Sequence, residues 1–130
     1  MTENPDRLKI FKHNGASILA CDFTFCSRDE GKVLLEALIK RLQTEPEHSV
    51  RLLVQTKGAI HDPSQATEWK RHLGLFNSRL AKSAVTGLSP LNRISMAGLR
   101  MYARLVGQDG AAMQAQIFES HETAVNYLAS

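Results

Sequence analysis

The sequence has no long apolar run, few aromatic residues and little net charge, and these shortages exclude several classes of protein. No stretch approaches the roughly eighteen apolar residues of a membrane-spanning helix. The start, MTENPDRLKIF, lacks the apolar run of a secretory signal. The formal charge of +3 is small, and acids are interspersed with the bases, unlike in a dedicated nucleic-acid binder. We therefore expect a cytoplasmic protein with no integral membrane segment and no nucleic-acid partner.

Cysteine is also scarce, and its spacing excludes the common cysteine sites. Cys21 and Cys26 stand in CDFTFCS, which fits neither a C-x-x-C redox pair nor a zinc knuckle. Positions five apart in a strand point to opposite faces, so we expect two reduced structural cysteines. The five histidines form no H-x-x-x-H pair on a predicted helix. The sequence therefore predicts neither a metal site nor a cofactor.

The order of local patterns predicts the fold class. Residues 1–7 read as a flexible tail and 8–130 as one domain, because 130 residues with 43% apolar content can build one core. Asn14 and Gly15 between two strand-like runs predict a tight hairpin. Strand and helix patterns then alternate in the order ββαβαβαβα. This order predicts an α/β domain with an N-terminal β-hairpin and a mostly parallel sheet of four to five strands covered by helices.

The segment KSAVTGLSPLNRI, residues 82–94, raises three alternatives: phosphate binding, nucleophilic catalysis or helix capping. A phosphate loop needs several glycines, and only Gly87 is present. A G-x-S-x-G nucleophile elbow needs a second glycine where Leu91 stands. Ser89 followed by Pro90 is instead typical of a helix N-cap and first helical residue. We expect capping here and no enzymatic activity.

Apolar residues at three- and four-residue steps mark two helices whose stripes we expect to face the sheet. The second predicted helix carries Trp69, Leu73, Phe76 and Leu80. The third carries Leu91, Ile94, Gly98, Met101 and Leu105. A glycine in mid-stripe would permit close approach of the third helix to the sheet.

The loop after the buried strand VRLLVQT supplies the first group of candidate site residues: His61, Asp62 and Ser64. In open α/β sheets ligands collect at the carboxyl ends of the strands, so this loop is a candidate ligand or regulatory site. The alternative is that Asp62 only caps the following helix and His61 is solvated.

Two helices supply further candidates for contact with other molecules. On the second helix Leu75 falls outside the core stripe, so His72, Leu75 and Arg79 are a candidate homodimer interface. The third helix carries three arginines within a narrow arc: Arg93, Arg100 and Arg104. This row is a candidate contact for an acidic partner or anionic headgroups, and the alternative is a solvated polar face.

Two stretches, together with the order of elements, resemble a known family. KSAVTGL, residues 82–88, and FESHETAVNYL, residues 118–128, look like the last two βα units of small bacterial proteins of the SpoIIAA-like group. These are relatives of the STAS domain of sulphate transporters and anti-sigma-factor antagonists. The resemblance covers residues 8–129. It implies a non-catalytic interaction or regulatory domain that binds a protein partner.

The same resemblance implies two alternatives. In the antagonist branch a serine in Asp-Ser-Ser/Thr-Gly-Leu is phosphorylated by a partner kinase. The matching stretch here keeps Asp62 and Ser64 in type, with proline in place of the first serine and glutamine in place of the glycine. Ser64 is thus a candidate phosphorylation site. A related superfold holds apolar ligands between sheet and helices, so a small lipophilic or anionic ligand is the other alternative.

Overall fold

The computed structural model of the protein describes residues 7–60, 62–107 and 116–130, which form one sheet with helices on both faces. The strands are β1 (Leu8–His13), β2 (Ala16–Asp22), β3 (Val50–Gln55), β4 (Leu80–Thr86) and β5 (Gln116–Phe118). The helices are α1 (Arg28–Gln43), α2 (Pro63–Arg71), α3 (Leu73–Arg79), α4 (Pro90–Leu105) and α5 (His121–Ala129). The predicted α/β class is confirmed. The tail predicted over 1–7 lies, except for Arg7, outside the described residues.

The five strands lie in the sheet in their chain order. β1 and β2 are antiparallel and are joined by the predicted tight turn, where Asn14 and Gly15 take positive φ values of 50° and 82°. β2 to β5 are parallel neighbours. α1 to α4 all pack on one face, which we name the front face. This is the arrangement expected when the crossovers between consecutive parallel neighbours all have the same hand. α5 packs on the opposite back face.

The helices begin where the sequence predicts. Ser27 and Glu30 form a capping box at α1: the Glu30 N–H donates to Ser27 Oγ at 3.2 Å, and the Ser27 N–H donates to Glu30 Oε1 at 3.0 Å. Ser89 Oγ accepts from the Asn92 N–H at 3.1 Å, which confirms its capping role in α4. Gly87 has a φ of 76°, and a Cβ there would lie 2.7 Å from the Lys57 backbone nitrogen. Gly87 thus permits two loops to meet.

The second predicted helix differs from its expected extent. It ends at Arg71, and α3 begins after His72, whose φ of −109° and ψ of 17° leave the helical range. Nδ1 of the His72 ring lies 3.0 Å from the Glu68 carbonyl oxygen, the acceptor that also receives the His72 N–H. Leu80 is the first residue of β4, so the expectation of one continuous helix from Trp69 to Leu80 is wrong. The expected burial is confirmed for Leu73, Phe76 and Leu80, and Trp69 is half-buried against the same core.

The expectation that the stripe of the third predicted helix faces the sheet is also wrong. The side chains of Leu91, Ile94, Met101 and Leu105 are exposed. The buried residues of α4 are Leu99 and Ala103, on another side of the helix. Both sectors are apolar and recur at helical steps, so spacing alone does not decide which one packs. A Cβ at Gly98 would meet nothing within 4 Å, so this glycine permits no close approach to the sheet.

Candidate functional site

A pocket of about 160 Å³ lies between the front face of the sheet and helices α2 and α4. Its floor comes from β3 and β4, with Leu52 and Val54 beside Ser83 and Val85. It extends toward the carboxyl ends of the parallel strands, where the loops after β2, β3 and β4 form its rim. The pocket therefore occupies the region of an open α/β sheet in which ligands commonly bind.

The pocket exists because small side chains face one another and α2 stands away from the sheet. Ser83 on β4, Ala66 on α2 and Ser95 on α4 all line it. No residue of α2 is buried. Gly31 on α1 leaves room for the Gln65 side chain of α2, which a Cβ at this position would meet. Short side chains on three elements thus leave a space that larger ones would fill.

Trp69 forms part of the pocket wall and is the single tryptophan of the chain. Its ring is half-buried and stacks on Phe76, with the ring centroids 4.4 Å apart. Phe76 itself is fully buried in the core beneath α3. The pocket wall is therefore anchored to the core by an aromatic pair.

Asp62 and Cys26 are the titratable side chains among the described residues that line the pocket. Asp62 Oδ1 caps α2, accepting from the Ser64 N–H at 3.0 Å and from the Ser64 Oγ–H at 2.8 Å. Burial raises the pKa of the Cys26 thiol. A raised pKa keeps this group as the neutral thiol at neutral pH, and the thiol is a far weaker nucleophile than the thiolate.

The structure brings part of the predicted loop site to the pocket. Asp62 lies on the pocket rim, and Ser64 is exposed beside it on the first turn of α2. His61 lies outside the described residues. Sequence reasoning missed most of the lining, including Asn92, Ser95 and Met96 of α4, because this helix was expected to turn another side to the sheet. One available signal was Ser83, a small polar residue at an inward position of strand β4.

The predicted interface on the second helix is only partly accessible. Leu75 is half-buried and packs against the core, so the expectation that it lies outside the core is wrong. The break at His72 places Leu75 on the separate helix α3, where the spacing counted from Trp69 no longer applies. Arg79 is half-buried, and its Nε–H donates to the Leu42 carbonyl oxygen at 3.2 Å. The use of these residues in a dimer stays a prediction.

The predicted arginine row lies on α4 beside the exposed stripe. Arg93 and Arg104 are exposed, and Arg100 is half-buried. At about 100° per residue, the row and the stripe are separated by roughly a third of a turn. The row therefore borders an apolar surface, which was expected to face the sheet.

Three further findings concern metal sites, membrane-spanning helices and similarity to known proteins. Within residues 7–60, 62–107 and 116–130, no group of three or more histidine, cysteine or acidic side chains could hold a metal ion. None of the helices that the structure describes has the length and apolar character needed to cross a bilayer. Comparison with protein-family models, with curated proteins and with solved structures finds no significant match to this chain.

Proposed function

We propose that this chain is a non-catalytic binding domain that holds a small, largely apolar ligand in the pocket between the front face, α2 and α4. The observation that carries this proposal is the lining: its floor and walls are mainly hydrocarbon, with polar groups placed singly among them. At about 160 Å³ the pocket is close to a cavity of about 150 Å³ that takes up benzene. An aromatic ring or a short alkyl chain therefore matches its size.

The polar groups indicate how such a ligand would lie. Ser27, Thr56 and Asp62 come from the loops at the carboxyl ends of β2 and β3. Leu52 and Leu80 line the opposite end of the pocket, at the start of their strands or near it. A ligand with an apolar body and one polar group would place the polar group toward the loops, where hydrogen-bonding partners are present.

Among the described residues, the titratable groups of the pocket favour binding over catalysis. General acid–base catalysis needs a positioned group that can exchange a proton near neutral pH. The Asp62 carboxylate is used as the cap of α2, and the raised pKa of Cys26 keeps its proton in place. This arrangement supports the non-catalytic role that the resemblance to STAS-like domains implies.

A cytoplasmic, regulatory role with a protein partner is the wider proposal that follows from the resemblance. The most specific version of this regulatory proposal is a phosphorylation switch at Ser64. The observation in its favour is the exposed hydroxyl of Ser64 on the pocket rim. Its Oγ lies 2.8 Å from Asp62 Oδ1, so a phosphate there would set two negative groups against each other. Phosphorylation would then weaken the cap of α2 and change the pocket rim.

Fluorescence of Trp69 tests the binding proposal, because the only tryptophan lines the pocket. We expect benzene and 1-octanol to change its emission in a saturable way, and glycerol to leave it unchanged. Ala66→Leu fills the pocket and should remove the saturable change. Ala97→Leu makes the same change at an exposed position of α4 and should keep it. The proposal would be contradicted if the two variants gave the same change in emission as ligand is added, or if the wild type gave no saturable change.

A further inference from the structure

The exposed side of α4 carries four large apolar residues in a continuous row, which we name the outer stripe. Their exposed fractions are 53% for Leu91, 69% for Ile94, 66% for Met101 and 81% for Leu105. The row spans about 21 Å at 1.5 Å per residue. Single exposed leucines are ordinary, but a row of four large apolar residues along one side of a helix is the kind of surface that interaction sites present.

Within the part of the chain that the structure describes, the outer stripe is exposed and is not the surface by which α4 packs on the sheet. α4 is held on the sheet by its other apolar sector, through Leu99 and Ala103. At Gly98, in the middle of the stripe, a Cβ would meet nothing within 4 Å. The stripe is therefore open to an external partner while the helix stays attached to the domain.

The charged side chains of α4 itself are all positive. α4 has no acidic residue, and within the described residues no ion pair involves Arg93 or Arg104, both exposed along one edge. On the other edge Lys70 of α2 places its Nζ 5.0 Å from the ring centroid of Tyr102. A partner that fits this side of the molecule must therefore offer an apolar region to the outer stripe and negatively charged groups to the cations beside it.

We propose that α4 docks in the interface of an anionic lipid bilayer. The outer stripe enters the boundary between headgroups and acyl chains, and Arg93, Arg104 and Lys70 contact lipid phosphates. A helix with one apolar side and cationic flanks lies in the membrane plane in this way, since long cationic side chains reach back to the headgroups. Each flanking cation then meets a negative group.

A second copy of the chain fits the same surface less well. In a two-fold pair both copies would bring the same cationic flanks, and α4 has no acidic side chain with which to neutralise them. The bilayer supplies the missing negative charge in excess. Charge complementarity thus favours lipid over self-association.

Vesicle co-sedimentation tests the proposal with the full chain. We expect binding to phosphatidylcholine vesicles in which a third of the lipid is phosphatidylglycerol, weaker binding to pure phosphatidylcholine, and release by salt. Ile94→Gln should lower the partition coefficient about tenfold, because it removes one buried aliphatic side chain from the bilayer. Ile10→Gln makes the same change at a residue 49% exposed on β1 and should leave binding unchanged.

The cationic flank has its own matched pair of variants. Arg93→Gln with Arg104→Gln should lower binding to the anionic vesicles by about tenfold or more and reduce its salt dependence. Lys32→Gln with Lys40→Gln removes two exposed charges from α1 and should have a much smaller effect. Circular dichroism of each variant establishes that the fold is retained, since all these positions are exposed.

Three outcomes would overturn the proposal. One is an absence of binding to anionic vesicles, and another is equal loss in Ile94→Gln and Ile10→Gln. The third concerns self-association: light scattering would find a wild-type dimer that Ile94→Gln converts to a monomer, with no effect of that variant on vesicle binding. That result would assign the outer stripe to a second copy of the chain.

Discussion

Helices α1 and α4 are both 16 residues long and lie on the same face of the sheet, yet they bury very different amounts of surface. α1 buries six residues: Gly31, Leu34, Leu35, Leu38, Ile39 and Leu42. α4 buries only two, and the neighbouring α2 buries none. The front face is thus divided into a close-packed half under α1 and a hollow half under α2 and α4. We infer that the first half supplies stability and the second supplies binding surfaces.

The largest expected difference between the two halves is in the free energy of unfolding after loss of one leucine. Leu38→Ala on α1 removes a fully buried side chain and should cost about 2 to 5 kcal/mol. Leu105→Ala on α4 removes a side chain that is 81% exposed and should change stability by less than about 0.5 kcal/mol. Urea denaturation measures both. Similar losses in the two variants would show that α4 is a packed helix.

The next effect concerns the loop that leads into the hollow half. Gly87→Ala should destabilise the domain by about 1 to 3 kcal/mol, because the methyl group meets the Lys57 backbone and φ is positive. Gly15→Ala in the hairpin tests the effect of a positive φ alone, since a Cβ at this position would meet nothing within 4 Å. It should lower the free energy of unfolding by about 1 kcal/mol. Thermal unfolding compares the two. Equal losses would remove the inferred contact between the loops.

A smaller and pH-dependent effect should appear at the start of α1. The hydrogen bonds of the capping box with Ser27 hold the pKa of the Glu30 carboxyl below its ordinary value. The bond with the Ser27 backbone has the larger effect, and the bond with its side chain adds to it. A pKa lower in the folded than in the unfolded protein stabilises the fold above the unfolded pKa, and this contribution is lost as pH falls through the folded pKa.

Glu30→Ala should therefore lower the melting temperature at neutral pH, and the gap to wild type should close as the solution is acidified below about pH 4. α4 provides the control, because its cap uses the Ser89 hydroxyl and the helix carries no acidic side chain. Ser89→Ala should produce a loss that stays nearly constant over the same range. A constant gap for Glu30→Ala would contradict the role of its ionised form.

The smallest effect separates two helical glycines. Gly98→Ala on α4 should raise stability by about 0.5 to 1 kcal/mol, because alanine is the better helix former and its Cβ meets nothing. Gly31→Ala on α1 should gain less, because its methyl group must displace the Gln65 side chain. Chemical denaturation of the two variants in parallel measures the difference. A loss of stability in Gly98→Ala would mean that this side of α4 is already covered.

The parts of the fold that the sequence could predict are those decided by local chemistry. Asn14 and Gly15 tolerate positive φ, and Ser27 and Ser89 have the N-cap hydroxyl, so the turn and both helix starts follow from neighbouring residues. The side of α4 that packs on the sheet does not follow from neighbouring residues, because two sides of this helix are apolar and either could pack there. The break at His72 likewise depends on where β4 begins.

The candidate site was predictable only at its rim. Asp62 follows a strand whose burial its composition predicts, and carboxyl ends of parallel strands are a common site. The pocket itself is a space left by Ser83, Ala66 and Ser95, which lie on three elements far apart in sequence. Periodicity indicates which residues face inward, but the distance between packed elements comes from their mutual arrangement.

The chain-order arrangement of the strands has a consequence for biosynthesis. Each strand from β2 to β5 finds its sheet neighbour already made when it leaves the ribosome, so pairing can advance from the amino-terminal hairpin onward. The back face is different, because its apolar side chains are covered by α5, the last element of the order. Ile18, Ala20, Leu53 and Ala84 thus stay uncovered until α5 is translated. We expect the nascent chain to be most prone to aggregation, and most dependent on chaperones, just before α5 emerges.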